Sequence, residues 1–277
     1  MGRRSSEKGA VAMKGVPIQS FSRAIAALKA INRNRSMTMM EISRAANVPY
    51  PTAHRIVQTL LYEGLIEQEP ARKRYRPTLL VQSLSSGYQQ DGVLVEAARP
   101  HIVALTRKIG WPVSIAIRVG KNMMLRDSTH ANTSLTFAQY YPGFTLPLLD
   151  SASGKLSMAY ADDEERAQIL KWMRADQDID PNYLAAAELA LNAEGIRARG
   201  YAVQGRNYFN HTPGKTSSIA VPIFKQGRFE AAMTLVFFAS ALKLENALES
   251  YLPELLATAK AIGESLDRAS PEAVAAA

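Results

Sequence analysis

The stretch VPYPTAHRIVQTLLYE, residues 48–63, decides how the chain is read. Its apolar residues Ala53, Ile56, Val57, Leu60 and Leu61 recur at i, i+3, i+4, i+7 and i+8, the stripe a helix turns into a core. Thr52, His54, Arg55, Gln58 and Tyr62 are left on other faces, so the start of this helix is polar and cationic. Pro51 suits a first turn, where a missing N–H is no loss, and Gly64 stands where the helix should end.

Just upstream, Thr38-Met-Met-Glu41 has the T-x-x-E spacing of a capping box, in which hydroxyl and carboxylate satisfy each other's orphan backbone amides. A second helix over residues 39–47 follows. Asn47, which tolerates left-handed dihedrals, then Pro49 and Pro51, stop it. Two short helices joined by so tight a turn predict a helix-turn-helix. From Ile18 an earlier helix places Phe21, Ile25, Leu28 and Ile31 on one face. Downstream, LIEQE and RYRPT flank a basic turn at residues 70–73 and predict a β-hairpin, the wing of a winged helix.

A helix in the major groove reads bases with residues near its N-terminus. Tyr50, Thr52, His54 and Arg55 supply donors, a methyl group and a guanidinium there, and Arg55 has the fork that pairs with guanine O6 and N7. Ser22, Arg23, Thr38, Arg72, Lys73, Arg74 and Arg76 fall where such folds touch phosphates. The competing reading is a solvated helix with ordinary surface charges. Charge placement weighs against it: of the formal +8, residues 1–76 carry 14 Lys+Arg against 5 Asp+Glu, and the remainder is balanced at 19 against 20. Such asymmetry predicts a polyanionic partner for the N-terminal part.

The chain has 277 residues, 47% of them hydrophobic and 21% charged, which suits two domains of a globular protein. The longest apolar run, AAMTLVFFASAL at residues 231–242, is too short to span a bilayer as a helix. Arg3 and Arg4 are followed by no apolar stretch, so no secretory signal is expected. Zero cysteines exclude disulfides, thiolate metal sites and cysteine nucleophiles. A cytoplasmic location follows as the expectation. Residues 1–17 read as a disordered basic arm.

After Pro77 the pattern predicts helices over residues 79–87 and 93–109, then strands over 111–119 and 123–127 joined by a turn at 120–122. Helices are expected over 151–160, 162–172 and 183–199, the last ended by Gly200. Strands over 201–205, 217–224 and 229–238 follow, with Gln226 and Gly227 turning between the last two, and a helix over 244–266 closes the chain. Strands and helices in this order predict an α+β domain on a mostly antiparallel sheet.

Enzyme motifs fail on inspection. Pro213-Gly-Lys-Thr216 lacks the glycine a phosphate-binding loop needs at 209, which is Phe209, and Ser153-Gly-Lys155 fails in the same way at Leu149. His54, His101, His130 and His211 show no metal spacing, and no G-x-S-x-G elbow is present. No metal and no cofactor is called for. The alternative of a small-molecule hydrolase with an accessory DNA-binding domain would have to use scattered Ser and His.

SRAIAALKAI, MTMMEISRAANVPYPTAHRIVQTLLYEGLIEQ and YRPT together resemble the N-terminal winged helix of the IclR family of bacterial transcription regulators. GFTLPLLDSASGK at residues 143–155, RARGYAV at 197–203 and SIAVPIF at 218–224 resemble that family's effector-domain landmarks, in order and at fitting spacing. The resemblance covers residues 18–268. Within the family, WP at 111–112, STH at 128–130 and LPLLDSASG look most like regulators of aromatic-acid catabolism, such as the regulator of 3-hydroxyphenylpropionate degradation.

The resemblance implies a winged helix-turn-helix over residues 18–78, a linker helix over 79–92, a GAF-like effector domain over 93–268 and a tail over 269–277. It implies operator DNA, a small organic and by closest resemblance aromatic acid, and a second copy of the chain in a dimer or tetramer as partners, with RNA polymerase as a further candidate. Leu146, Ala152 and Ser153 map onto the loop and helix start that hold a carboxylate, where backbone amides and the helix dipole favour an anion. Ser218, Thr234 and Val236 map onto pocket walls. The stretch GRNYFNHTPGKTS departs from the family pattern, and its Arg206, Tyr208, Phe209 and His211 offer a cation and aromatics for an acid. Against these roles stand plainer ones: Ser153 and Thr234 as helix-start and strand residues, Tyr208 and Phe209 as core. Arg126 is a pocket cation or, as favoured here, a charge on the sheet surface.

Overall fold

A computed structural model describes residues 18–70, 72–85, 92–136, 140–176, 179–206 and 214–269. The predicted basic arm and residues 270–277 of the predicted tail, with Tyr208, Phe209 and His211, lie outside these. The chain divides into two compact units, residues 1–89 and 90–277.

In the first unit the elements are α1 (Gln19–Asn34), β1 (Met37–Thr38), α2 (Met39–Ala45), α3 (Tyr50–Tyr62), β2 (Ile66–Gln68) and β3 (Arg74–Pro77). The capping box forms as spaced: Thr38 N donates to Glu41 Oε2 at 2.7 Å and Glu41 N donates to Thr38 Oγ1 at 3.3 Å. The turn to α3 runs through Asn47 at φ 50°. It is tied by the buried Ser43, whose hydroxyl donates to Val48 O at 2.7 Å. Pro51 lies in the first turn of α3. Gly64, at φ 70°, ends the helix with its N–H on Leu61 O and the N–H of Leu65 on Leu60 O, a Schellman closure that a side chain would strain. Ala53, Ile56, Val57 and Leu60 enter a core with Ala27, Ile31, Ile42, Ile66 and Tyr75.

The predicted hairpin forms between β2 and β3, the structure adds detail to the wing and to α1, and the linker helix needs correction. The wing is a three-stranded sheet, ordered β1-β3-β2, because Met37 and Thr38 pair with Tyr75 and Arg74. On α1 only the C-terminal part of the apolar face is covered: Ile31 is buried, but Phe21 is 64% exposed and Ile25 38%. The linker helix is a 3-10 helix over Leu79–Ser85 that buries no residue; its end lies among residues not described. With no packing to reward it, nothing favours the α form there.

The second unit holds α4 (Gly92–Ile109), β4 (Val113–Val119), β5 (Asn122–Ser128), a short 3-10 turn (His130–Asn132), β6 (Thr145–Pro147), α5 (Ala152–Tyr160), α6 (Asp163–Arg174), α7 (Pro181–Ala190), α8 (Ala193–Arg199), β7 (Ala202–Gln204), β8 (Thr216–Lys225), β9 (Arg228–Phe238) and α9 (Leu244–Arg268). The strands form one six-stranded antiparallel sheet, ordered β6-β5-β4-β9-β8-β7. Both faces are covered. Val113, Ile115, Ile219, Val221, Met233 and Leu235 point to α4 and α9. Ala116, Leu125 and Ala232 point to a core with α5, α6 and α7, and Ala202 and Ala220 pack with α5 and α8. Two-sided burial explains why SSIAVPIF reads as a continuous apolar run, not an alternating one. Gln226 and Gly227 both take positive φ, 50° and 73°, as a two-residue hairpin turn requires.

The single helix expected over residues 183–199 is two, α7 and α8. Asn192 interrupts it, since its side chain accepts from Gly195 N at 2.8 Å and so caps a new helix. Gly200 ends α8 in the left-handed region, as its position predicts.

Candidate functional site

On α3 the buried stripe leaves Tyr50, His54 and Arg55 exposed and Thr52 half-buried, all in the first turn and a half. Ser22 and Arg23 are exposed at the start of α1, and Arg72 and Lys73 at the tip of the hairpin. Thr38 is engaged in the cap of α2, its hydroxyl oxygen accepting from Glu41 N at 3.3 Å. Two of the expected phosphate contacts are engaged within the fold. Arg74 Nη2 lies 3.1 Å from Glu41 Oε2 and donates to Ser36 O at 2.9 Å, while its Nε donates to Ser36 Oγ at 3.0 Å. Arg76 Nε donates to Glu67 Oε1 at 2.6 Å across the hairpin. Hydrogen bonds from Thr38, with the Arg74 charge behind them, hold the Glu41 carboxyl below its ordinary range.

In the second unit Leu146, Ala152, Ser153, Ser218, Thr234 and Val236 line one cavity of about 20 Å³, room for roughly one water-sized occupant. Ser114, Ser151 and Thr216 add three hydroxyls to the lining, and Ala116, Leu125 and Tyr140 add apolar wall. Cross-strand pairing explains the convergence. Ser114 pairs with Thr234, and Ser218 with Val236, so these side chains share one face of the sheet. The N-terminus of α5 closes the cavity. Ser151 caps it by accepting from Gly154 N at 3.1 Å and donates to Pro147 O at 2.9 Å. Gly154 is required there, because a Cβ would come within 1.8 Å of Leu148 O. Thr234 Oγ1 is buried without a hydrogen-bond partner.

Arg206 is not part of the lining. It is exposed at the end of β7, at φ 41°, with its backbone N–H on Ser217 Oγ at 3.1 Å. Arg126 also lies outside it, half-buried on β5. Lys155 leads away from the cavity: Nζ donates to Gln204 Oε1 at 2.7 Å, and burial lowers its pKa. Ser114, Ser151, Thr216 and Tyr140 escaped the sequence reading. For Ser114 a signal existed in the alternation of VSIAI, which sets it opposite Val113 and Ile115.

Residues 20–70 match the IclR helix-turn-helix domain, and residues 88–264, more than half of the chain, match the bacterial transcriptional regulator IclR C-terminal domain. The chain belongs to the IclR family. It is a transcriptional regulator and not an enzyme, with an N-terminal helix-turn-helix unit that binds DNA and a C-terminal unit that binds a small-molecule effector. It is similar to the HTH-type transcriptional regulator BhcR of Paracoccus denitrificans, 26% identical over 83% of this chain and 80% of that one. A crystal structure of a transcriptional regulator of Rhodococcus sp. RHA1 is 25% identical, with a TM-score of 0.63 over 92% of this chain and 100% of that one. An IclR homologue from Microbacterium hydrocarbonoxydans, solved in complex with 4-hydroxybenzoate, shares the fold at 24% identity and a TM-score of 0.64, over 91% of this chain and 100% of that one. Among the described residues, no helix is long and apolar enough to cross a membrane.

Proposed function

We propose that this IclR regulator changes its operator binding when a small organic acid, aromatic by preference, enters the cavity beside α5. The observation that carries the reading is that cavity: hydroxyls and a helix N-terminus converge on it, one hydroxyl is unpaired, and apolar wall completes it. Its lining carries no formal charge, so a carboxylate would be held by amides, hydroxyls and the helix dipole. At about 20 Å³ the cavity must open to admit an aromatic ring, and the wall with most area to displace is Tyr140. The 4-hydroxybenzoate bound by the Microbacterium homologue supports the aromatic preference by analogy. A thermal-shift panel of hydroxylated benzoates, cinnamates and phenylpropionates tests it; a flat response to all of them overturns the aromatic assignment.

On DNA, Tyr50, Thr52, His54 and Arg55 read bases, while Ser22, Arg23, Thr38, Arg72 and Lys73 bind phosphates. Arg55→Ala should weaken binding to the operator by about tenfold or more and leave random-sequence DNA nearly unchanged in a competition shift assay. Equal loss on both would make Arg55 a phosphate contact. Two copies of the chain present two recognition helices to two half-sites, and effector binding alters the population of arrangements that fit them.

A further inference from the structure

We propose that His130 sets effector specificity by donating its Nε2–H to a second oxygen of the bound acid, an oxygen other than the carboxylate held at the start of α5. The inference rests on the cavity being the effector site.

His130 sits two residues past β5 and is 5% exposed. Its ring stacks on Tyr140, a wall of the cavity, with centroids 4.5 Å apart and planes 28° apart. Its anchor also belongs to the cavity face. Ser128, hydrogen bonded to His130 Nδ1, pairs across the sheet with Ser114, and Ser114 with Thr234. These three hydroxyl residues therefore form one row on one face, and Ser114 and Thr234 line the cavity.

Donation from Nε2 requires one of the two neutral tautomers of the ring. Ser128 Oγ accepts from the backbone N–H of His130 at 3.2 Å and also meets Nδ1 of the ring; the oxygen has a second lone pair, so either Oγ or Nδ1 can be the donor. In the required tautomer Nδ1 accepts from Ser128 and the ring proton resides on Nε2. That atom is buried and has no hydrogen-bond partner. Desolvation lowers the ring's pKa to about 3, so the imidazole is neutral at physiological pH and offers one donor without a charge.

An orphaned buried N–H destabilises a fold. A phenyl ring would stack on Tyr140 as well and bury no unpaired ring N–H, at the cost of the Ser128 contact with Nδ1. The imidazole makes physical sense here if a ligand supplies the missing acceptor once Tyr140 shifts. A ring hydroxyl, a 2-hydroxyl or a keto oxygen would do so, and an acid lacking one would leave the donor buried and unsatisfied. Discrimination of that kind is strong because it penalises the wrong ligand.

Calorimetric titration of wild type and His130→Phe with matched pairs tests this: 4-hydroxybenzoate against benzoate, and lactate or pyruvate against propionate. Wild type is expected to favour the oxygenated member of whichever pair binds by about tenfold or more. His130→Phe should abolish the preference while leaving affinity for the plain acid within about threefold. Retention of the preference in His130→Phe, or no preference in wild type, overturns the assignment and leaves the effector reading standing. If only the aliphatic pair binds and shows the pattern, the aromatic preference falls and the role of His130 stands; if no acid binds, both are overturned. Nitrogen-15 spectra of histidine-labelled wild type supply a check that needs no variant: the Nε2–H tautomer is expected for His130, and the Nδ1–H tautomer refutes the donor role.

Discussion

His130 has a cost that is measurable without any effector. Its ordinary pKa of 6.5 drops to about 3 on folding because burial penalises the charged ring. The unfolded chain therefore takes up a proton between about pH 6.5 and 3 that the folded chain refuses, and in that window stability falls as pH falls. At its steepest the loss is about 1.4 kcal/mol per pH unit, and it levels off below the folded value. His130→Phe should remove this component. Urea midpoints at pH 7 and pH 5 would differ more in wild type than in the variant; equal differences would mean that the ring is not buried neutral. Little at this scale was legible beforehand. STH at residues 128–130 looked like a family marker, but a serine set against both the ring and the backbone N–H of a buried histidine is visible only once Nδ1, Oγ and that N–H are placed around each other.

Among elements, the hairpin separates cations that hold the fold together from cations left for DNA. Arg74 ties β3 to the start of α2 through Glu41 and Ser36, whereas Arg72 and Lys73 are exposed at the tip. Arg74→Ala should lower the melting temperature of the N-terminal unit and leave the salt slope of DNA binding nearly unchanged. Arg72→Ala with Lys73→Ala should leave the melting temperature and reduce that slope by about 2. The reverse pattern would return Arg74 to the phosphate contacts. Elements closed by local chemistry were readable from sequence: the Thr38–Glu41 box, Pro51 in a first turn, Gly64 and Gly200 at helix ends. Those defined by distant partners were not. The strands Met37–Thr38 and Thr145–Pro147 exist because Tyr75, Arg74 and Met123 lie opposite them, and no run of two or three residues announces that. The break at Asn192 hid inside an alanine-rich helical pattern. The six cavity residues carried over by resemblance share one lining, while Ser114 and Thr216 needed the strand register to join them.

For the whole molecule, the question periodicity left open is what covers α1. Phe21 and Ile25 lie on an apolar face that the N-terminal unit leaves exposed, and a second copy of the chain is the partner we expect there. Phe21→Ser with Ile25→Ser should weaken self-association at least tenfold by sedimentation equilibrium, and operator affinity should fall with it. An unchanged association constant would place the interface elsewhere. The positive charge of residues 1–76 makes DNA binding depend steeply on salt. The cavity behaves differently, because its lining carries no carboxylate, histidine, lysine or arginine side chain and burial keeps the imidazole behind Tyr140 neutral. A carboxylate arriving as an anion would stay one without protonating anything, so no proton is exchanged with the solvent. The heat of effector binding should then be the same in phosphate as in Tris, two buffers with very different ionisation enthalpies, and the signal should report only the contacts made.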